Sequence, residues 1–176
     1  MSVINRSPAD TNYAQVNRYS MVIPSISSLT YFLQDVNAPG LSVISATQPT
    51  PFKDLPRPGI KPNFNELVCT FVVDAELWAW EVIYDWIRGY AFPCSHQEYI
   101  SLKRRSEISS HAVQPQYSDG ILTINSSQNT PILNLHFVNL FPISLSDINF
   151  STRESADTIL TATAVFQYHI YNIKRI

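Results

Sequence analysis

The residues best suited to chemistry are few and scattered. Cys94, Ser95 and His96 are adjacent, and with Cys69 and His111 they would make a set of soft metal ligands. Their spacing matches no common zinc pattern, and each residue has a plain structural use, so no metal is expected. His136 and His169 fall on the more polar faces of strand-like segments, where hydrogen-bonded surface histidines are the ordinary case. Asp74, Glu76, Glu81 and Asp85 cluster as paired acids would, but on a helix they are explained by a cap at Asp74 and an Asp85 to Arg88 pair. The four glycines, Gly40, Gly59, Gly89 and Gly120, are isolated, which removes both a nucleophile elbow and a phosphate-cradling loop. No catalytic, cofactor-binding or metal residue is expected, and the chain is not expected to be an enzyme.

Composition narrows the remaining classes. A chain of 176 residues makes one domain and buries roughly 70% of its extended surface. Charged residues make up only 15%, which points to much protein-facing surface. Twelve basic against fourteen acidic side chains argue against a dedicated nucleic-acid binder. The compact run Lys103-Arg104-Arg105 is explained as a solvated strand end. Two cysteines in unlike contexts give no disulfide framework and fit a reducing cytoplasm. No stretch nears the ~18 apolar residues of a membrane span, so no membrane insertion is expected.

The elements that would position any site are mostly strands. Residues 1–16 form a polar arm, and a single domain is expected over 17–176. Asn17 to Ile23 alternates, as do Glu66 to Val73, Ile132 to Asn139 and the long closing segment Thr158 to Tyr171. Leu41 to Thr47 and Ile121 to Asn125 are further strands, and Tyr99 to Lys103 is expected as a short one. Ser27 to Asp35 is a turn or short helix. The region 48–62 carries five prolines between Pro49 and Pro62 and is expected to be an extended loop outside any inner sheet.

One helix is expected over 74–89, with Gly89 as its stop. At about 100° per residue, Ala79, Val82, Ile83, Trp86, Ile87 and Tyr90 share an apolar stripe. Leu77 and Tyr84 lie opposite, with more apolar surface than a solvated face needs. Trp78, Trp80 and Trp86 crowd this helix, where packing explains them better than an aromatic ligand platform. The fold class is mainly β (α+β): a small antiparallel β-barrel or sandwich with one packed amphipathic helix and extended loops.

The order of these features resembles the tail tube proteins of contractile-tailed bacteriophages. The residues carrying the resemblance are Asn17-Arg18-Tyr19, Ala38-Pro39-Gly40-Leu41, Thr70-Phe71-Val72-Val73-Asp74 and Tyr84-Asp85-Trp86-Ile87. Leu140-Phe141-Pro142-Ile143-Ser144, Ile148 and Phe166-Gln167-Tyr168 continue the pattern to the end. The chain departs from a minimal tube domain at 106–128, read as an added hairpin. It is similar also to the ring-forming inner-tube protein of type VI secretion.

The resemblance implies a structural virion protein: a tail tube subunit whose hexameric rings stack into a conduit for DNA ejection. The alternative is a tube-initiating baseplate protein or a tail terminator or adaptor, and a small-molecule-binding β-barrel ranks below both. Implied partners are further copies of the chain, tail sheath, baseplate and terminator proteins, with DNA only as transiting cargo. Assembly would take place in the host cytoplasm. Leu77 and Tyr84 are candidate subunit contacts, and Phe52, Leu55 and Ile60 are candidate anchors of a loop contacting the next ring. Thr161, Thr163 and Gln167 are candidate lumen residues, because polar walls adhere to neither bases nor phosphates.

Overall fold

Alternating apolar residues build most of the molecule. The computed structural model describes residues 15–26, 29–92, 94–108, 116–153, 155 and 158–176, so most of the polar arm and His111 lie outside it. It places β1 at Tyr19–Val22, a 3-10 turn at Pro24–Ile26, α1 at Leu29–Phe32 and β2 at Leu33–Val36. Four short strands follow: β3 Leu41–Val43, β4 Ala46–Gln48, β5 Leu55–Arg57 and β6 Pro62–Phe64. Then come β7 Leu67–Val72, α2 Trp78–Ala91, α3 His96–Ile108, β8 Ser118–Asn125, β9 Pro131–Leu145, β10 Thr161–Gln167 and β11 Ile170–Arg175.

The main sheet runs β1-β8-β9-β10-β7-β2, with β11 also paired to β9, and all its pairings are antiparallel. Strand β9 organises it. Its first part pairs with β8 and β11, whereas Phe141 to Leu145 pairs with β10. Between these parts Asn139 adopts a left-handed φ of 55°, which turns the strand from one half of the sheet to the other. The expected single closing strand is likewise two, since the chain breaks at Tyr168 and His169 before β11.

The two halves fold face to face, and Met21 Sδ lies 3.7 Å from Cys69 Sγ across the core. Phe71, Phe137 and Phe166 are fully buried there. The sheet does not close into a barrel. Its outer strands β1 and β2 are joined instead by the Tyr19 hydroxyl, which donates to the Gln34 carbonyl at 2.6 Å. Of the expected barrel or sandwich, the open sandwich describes the molecule.

Helix α2 packs through the expected stripe, with Ala79, Ile83 and Trp86 buried. Its aromatic polar ends reach backbone carbonyls: Trp80 Nε1 donates to Ser146, Trp86 Nε1 to Gln116 and the Tyr90 hydroxyl to Pro142. Two local expectations fail. Asp74 does not cap the helix, which starts after Leu77 in a left-handed conformation with no side-chain cap. Gly89 does not stop it either; Phe92 does, at φ 33°, with its amide donating to the Arg88 carbonyl at 2.7 Å. Gly89 is instead the contact for α3, since a Cβ there would meet Leu102 at 2.9 Å.

Helix α3 replaces the strand expected at Tyr99 to Lys103. Its sequence is polar nearly all round, so no apolar period announces it. Residues 106–128 hold the end of α3 and all of β8, which is an interior strand of the main sheet.

Candidate assembly surfaces

The prolines of 48–62 do not make a featureless loop. Strand β3 pairs with β6 and β4 with β5, so residues 41–64 form a two-stranded ribbon separate from the main sheet. Pro56 sits opposite Thr47 and Pro62 opposite Val43. A ribbon of two strands leaves each strand one unpaired edge, where a missing donor costs nothing. Gly59 makes the crossing possible, because a Cβ there would meet the Ile44 carbonyl oxygen at 1.8 Å. The base of the ribbon is anchored by Phe64, edge-on to Tyr168 and Tyr171. Its far part is bare: Phe52 is 100% exposed, Ile60 96% and Leu55 43%.

The outer face of α2 is the second surface. Leu77, Trp80 and Tyr84 form one wall of an open groove of about 720 Å³, and Ile148 and Phe150 form the other. Trp80 and Tyr84 are stacked, with ring centroids 5.4 Å apart. Phe150 is 73% exposed and Tyr84 44%. Glu76, Glu81, Asp85 and Asp147 rim this apolar floor.

Arg88, also in the lining, is bonded to Glu98 of α3, with its Nε 2.6 Å from Oε1. Partial desolvation pulls the Glu98 carboxyl upward, but the Cys94 amide and the Arg88 guanidinium prevail and hold it below the usual glutamate range. The expected Asp85 to Arg88 pairing gives way to this interhelical one. Sequence reasoning reached Leu77 and Tyr84 but not Ile148 or Phe150, which lie in an aperiodic segment.

The third surface is the outward face of β7 and β10. Thr163 is half-buried there, its hydroxyl 3.2 Å from that of Thr70, and its amide donates to the Ser146 hydroxyl at 2.9 Å. Thr161 and Gln167 are exposed, and Gln167 Nε2 donates to Glu66 at 3.3 Å. Half-buried Val68, Val72 and Val165 alternate with these, so the face mixes threonine and valine. Among the described residues, no group of His, Cys, Asp and Glu is placed to hold a metal, and Cys69 and Cys94 lie apart, one buried and one exposed.

No protein-family model matches the sequence. A relative from Enterobacteria phage T4, named tail tube terminator protein, is 25% identical over 170 residues, covering 93% of this chain and 90% of its own. Over nearly its whole length the chain is thus similar to a contractile-tail protein.

Solved structures share the fold. The tube terminating cap of the anti-feeding prophage superposes with a TM-score of 0.63 at 11% identity, over the whole of both chains. The PVC sheath/tube terminator of an extracellular contractile injection system gives 0.58 at 11%, over 94% of this chain and 99% of that one. The name of the T4 relative favours the terminator alternative over the tube subunit taken as the main expectation.

Proposed function

We propose that this chain is the tail tube terminator of a contractile-tailed phage: a virion-associated, non-catalytic subunit that forms one ring and caps the end of the tube. The observation that carries this reading is near full-length similarity to a protein named tail tube terminator. The ring is a hexamer assembled in the host cytoplasm, and it contacts tube on one side and sheath or neck proteins around it. DNA passes through as cargo. Thr161, Thr163 and Gln167 line the passage, where hydroxyls and amides grip neither bases nor phosphates strongly. The exposed apolar groups of the ribbon and of α2 are subunit contacts. The polar arm 1–16 and the domain 17–176 act as one subunit.

Electron microscopy of the purified chain, alone and mixed with growing tubes of the same phage, tests the role. A terminator gives single rings that never stack and halts tube growth when it binds. Long tubes made by the chain alone would return it to the tube-subunit role.

A further inference from the structure

Two surfaces of this chain are uncovered, apolar and opposite in charge. The far part of the ribbon presents Phe52 and Ile60 almost entirely to solvent, beside Lys53, Arg57 and Lys61 and a single carboxylate, Asp54. Among the described residues Arg57 bonds the neutral Gln48 side chain, a bond that leaves its charge unopposed. The α2 groove has an apolar floor lined also by the carboxylates of Glu76, Glu81 and Asp147, and its Arg88 is already engaged by Glu98. Each surface carries what the other lacks.

We infer that the ribbon of one copy docks in the α2 groove of the next copy in the same ring, with Phe52 in the apolar floor and Lys53 against the Glu81 side of the rim. This deepens the terminator reading and rests on it. A contact between two different surfaces of one chain is heterologous, and it yields a closed ring or an open filament according to its rotation. A terminator stops after one ring, so the contact runs around the ring and not along the axis. That departs from the inter-ring role expected from the prolines alone. It also gives the ribbon a reason to be stiff, since a two-stranded, proline-fixed arm loses little freedom when it docks.

Reversal of charge on each side, separately and together, tests the contact in the full chain. Lys53→Glu and Glu81→Lys should each raise the concentration for half-assembly roughly tenfold, and the double variant should recover most of the loss. Native mass spectrometry and sedimentation velocity read both. Phe52→Ser should abolish rings while leaving the circular dichroism and melting of the monomer unchanged, because that side chain is fully exposed.

Rings that form equally well in all three single variants overturn the contact while leaving the terminator reading intact. Rings that persist but no longer cap tubes assign the ribbon to the tube, and also overturn it. A wild-type chain that stays monomeric at every concentration overturns the ring itself, and the contact with it.

Discussion

Asn139 Nδ2 lies 3.0 Å from His169 Nδ1, which joins the two places where strands leave one half of the sheet for the other. Asn139 is the left-handed residue inside β9, and its amide donates to Asp119 Oδ1 at 3.3 Å. His169 sits in the break between β10 and β11, its amide donating to the Val138 carbonyl at 3.0 Å, with Tyr117 edge-on to its ring. The histidine that could have been read as a catalyst is a strut.

Backbone conformation at Asn139 therefore governs stability more than its side chain does. Asn139→Val should cost about 1–2 kcal/mol or more, since a β-branched residue opposes left-handed geometry. Asn139→Gly should stay within about 1 kcal/mol of wild type, because only an exposed hydrogen bond is lost. Urea unfolding measures both, and equal stability for the two variants would contradict the account.

The two thiols should differ sharply. Burial, with Asp35 contributing, pushes the Cys69 thiol up to about 12, whereas Cys94 is exposed. A thiol-disulfide reagent at mildly alkaline pH should therefore modify Cys94 rapidly in the folded chain and Cys69 only after unfolding. Mass spectrometry of the modified chain counts one adduct under native conditions and two in denaturant.

The docking of α3 on α2 should weaken in acid. Glu98 has a depressed folded-state pKa, so its contribution is present above the unfolded value and lost as the pH falls through the folded one. Amide protection in α3, measured relative to the intrinsic exchange rate at each pH, should be high at neutral pH and fall below the ordinary glutamate value of ~4.3. Glu98→Gln should lower the protection at neutral pH and flatten its pH response. The global melting temperature need not follow, because the sandwich core does not use this pair.

The ribbon should be separable from the core. Gly59→Ala forces a side-chain carbon onto the Ile44 carbonyl, which is backbone and cannot yield cheaply. It should impair ring formation while leaving the melting temperature nearly unchanged. Gly89→Ala meets only the Leu102 side chain. Its helix gain of about 0.8–1.0 kcal/mol offsets part of a packing cost of about 1–3 kcal/mol, so a small net loss is expected.

Much of the fold was legible because alternation and the helical period coincide with burial. Leu67, Cys69 and Phe71 on β7, Ala162, Ala164 and Phe166 on β10, and the α2 stripe all follow that rule. Helix α3 escaped because Leu102 and the Glu98 pair with Arg88 dock it without an apolar stripe. The ribbon escaped because five prolines signal a loop unless the pairing is only two strands wide. At the α2 groove, Leu77 and Tyr84 were visible as excess apolar surface. Their facing wall, Phe150 and Ile148, is brought there by tertiary folding and leaves no local pattern.

A consequence follows from β9 for the way the subunit bears load. From Leu133 to Phe137 its backbone is held by β8 on one side and β11 on the other, so neither can be peeled away there without straining the opposite ladder, and Phe141 to Leu145 continues into the pairing with β10. Tension along β9 is shared by many hydrogen bonds at once, as in shear, and does not reach them one after another, as in unzipping. In the proposed terminator role the subunit would bear sudden axial load. A strand clamped in this way, with its one weak point at Asn139 braced by His169, gives it a stiff spine along which the pull can pass.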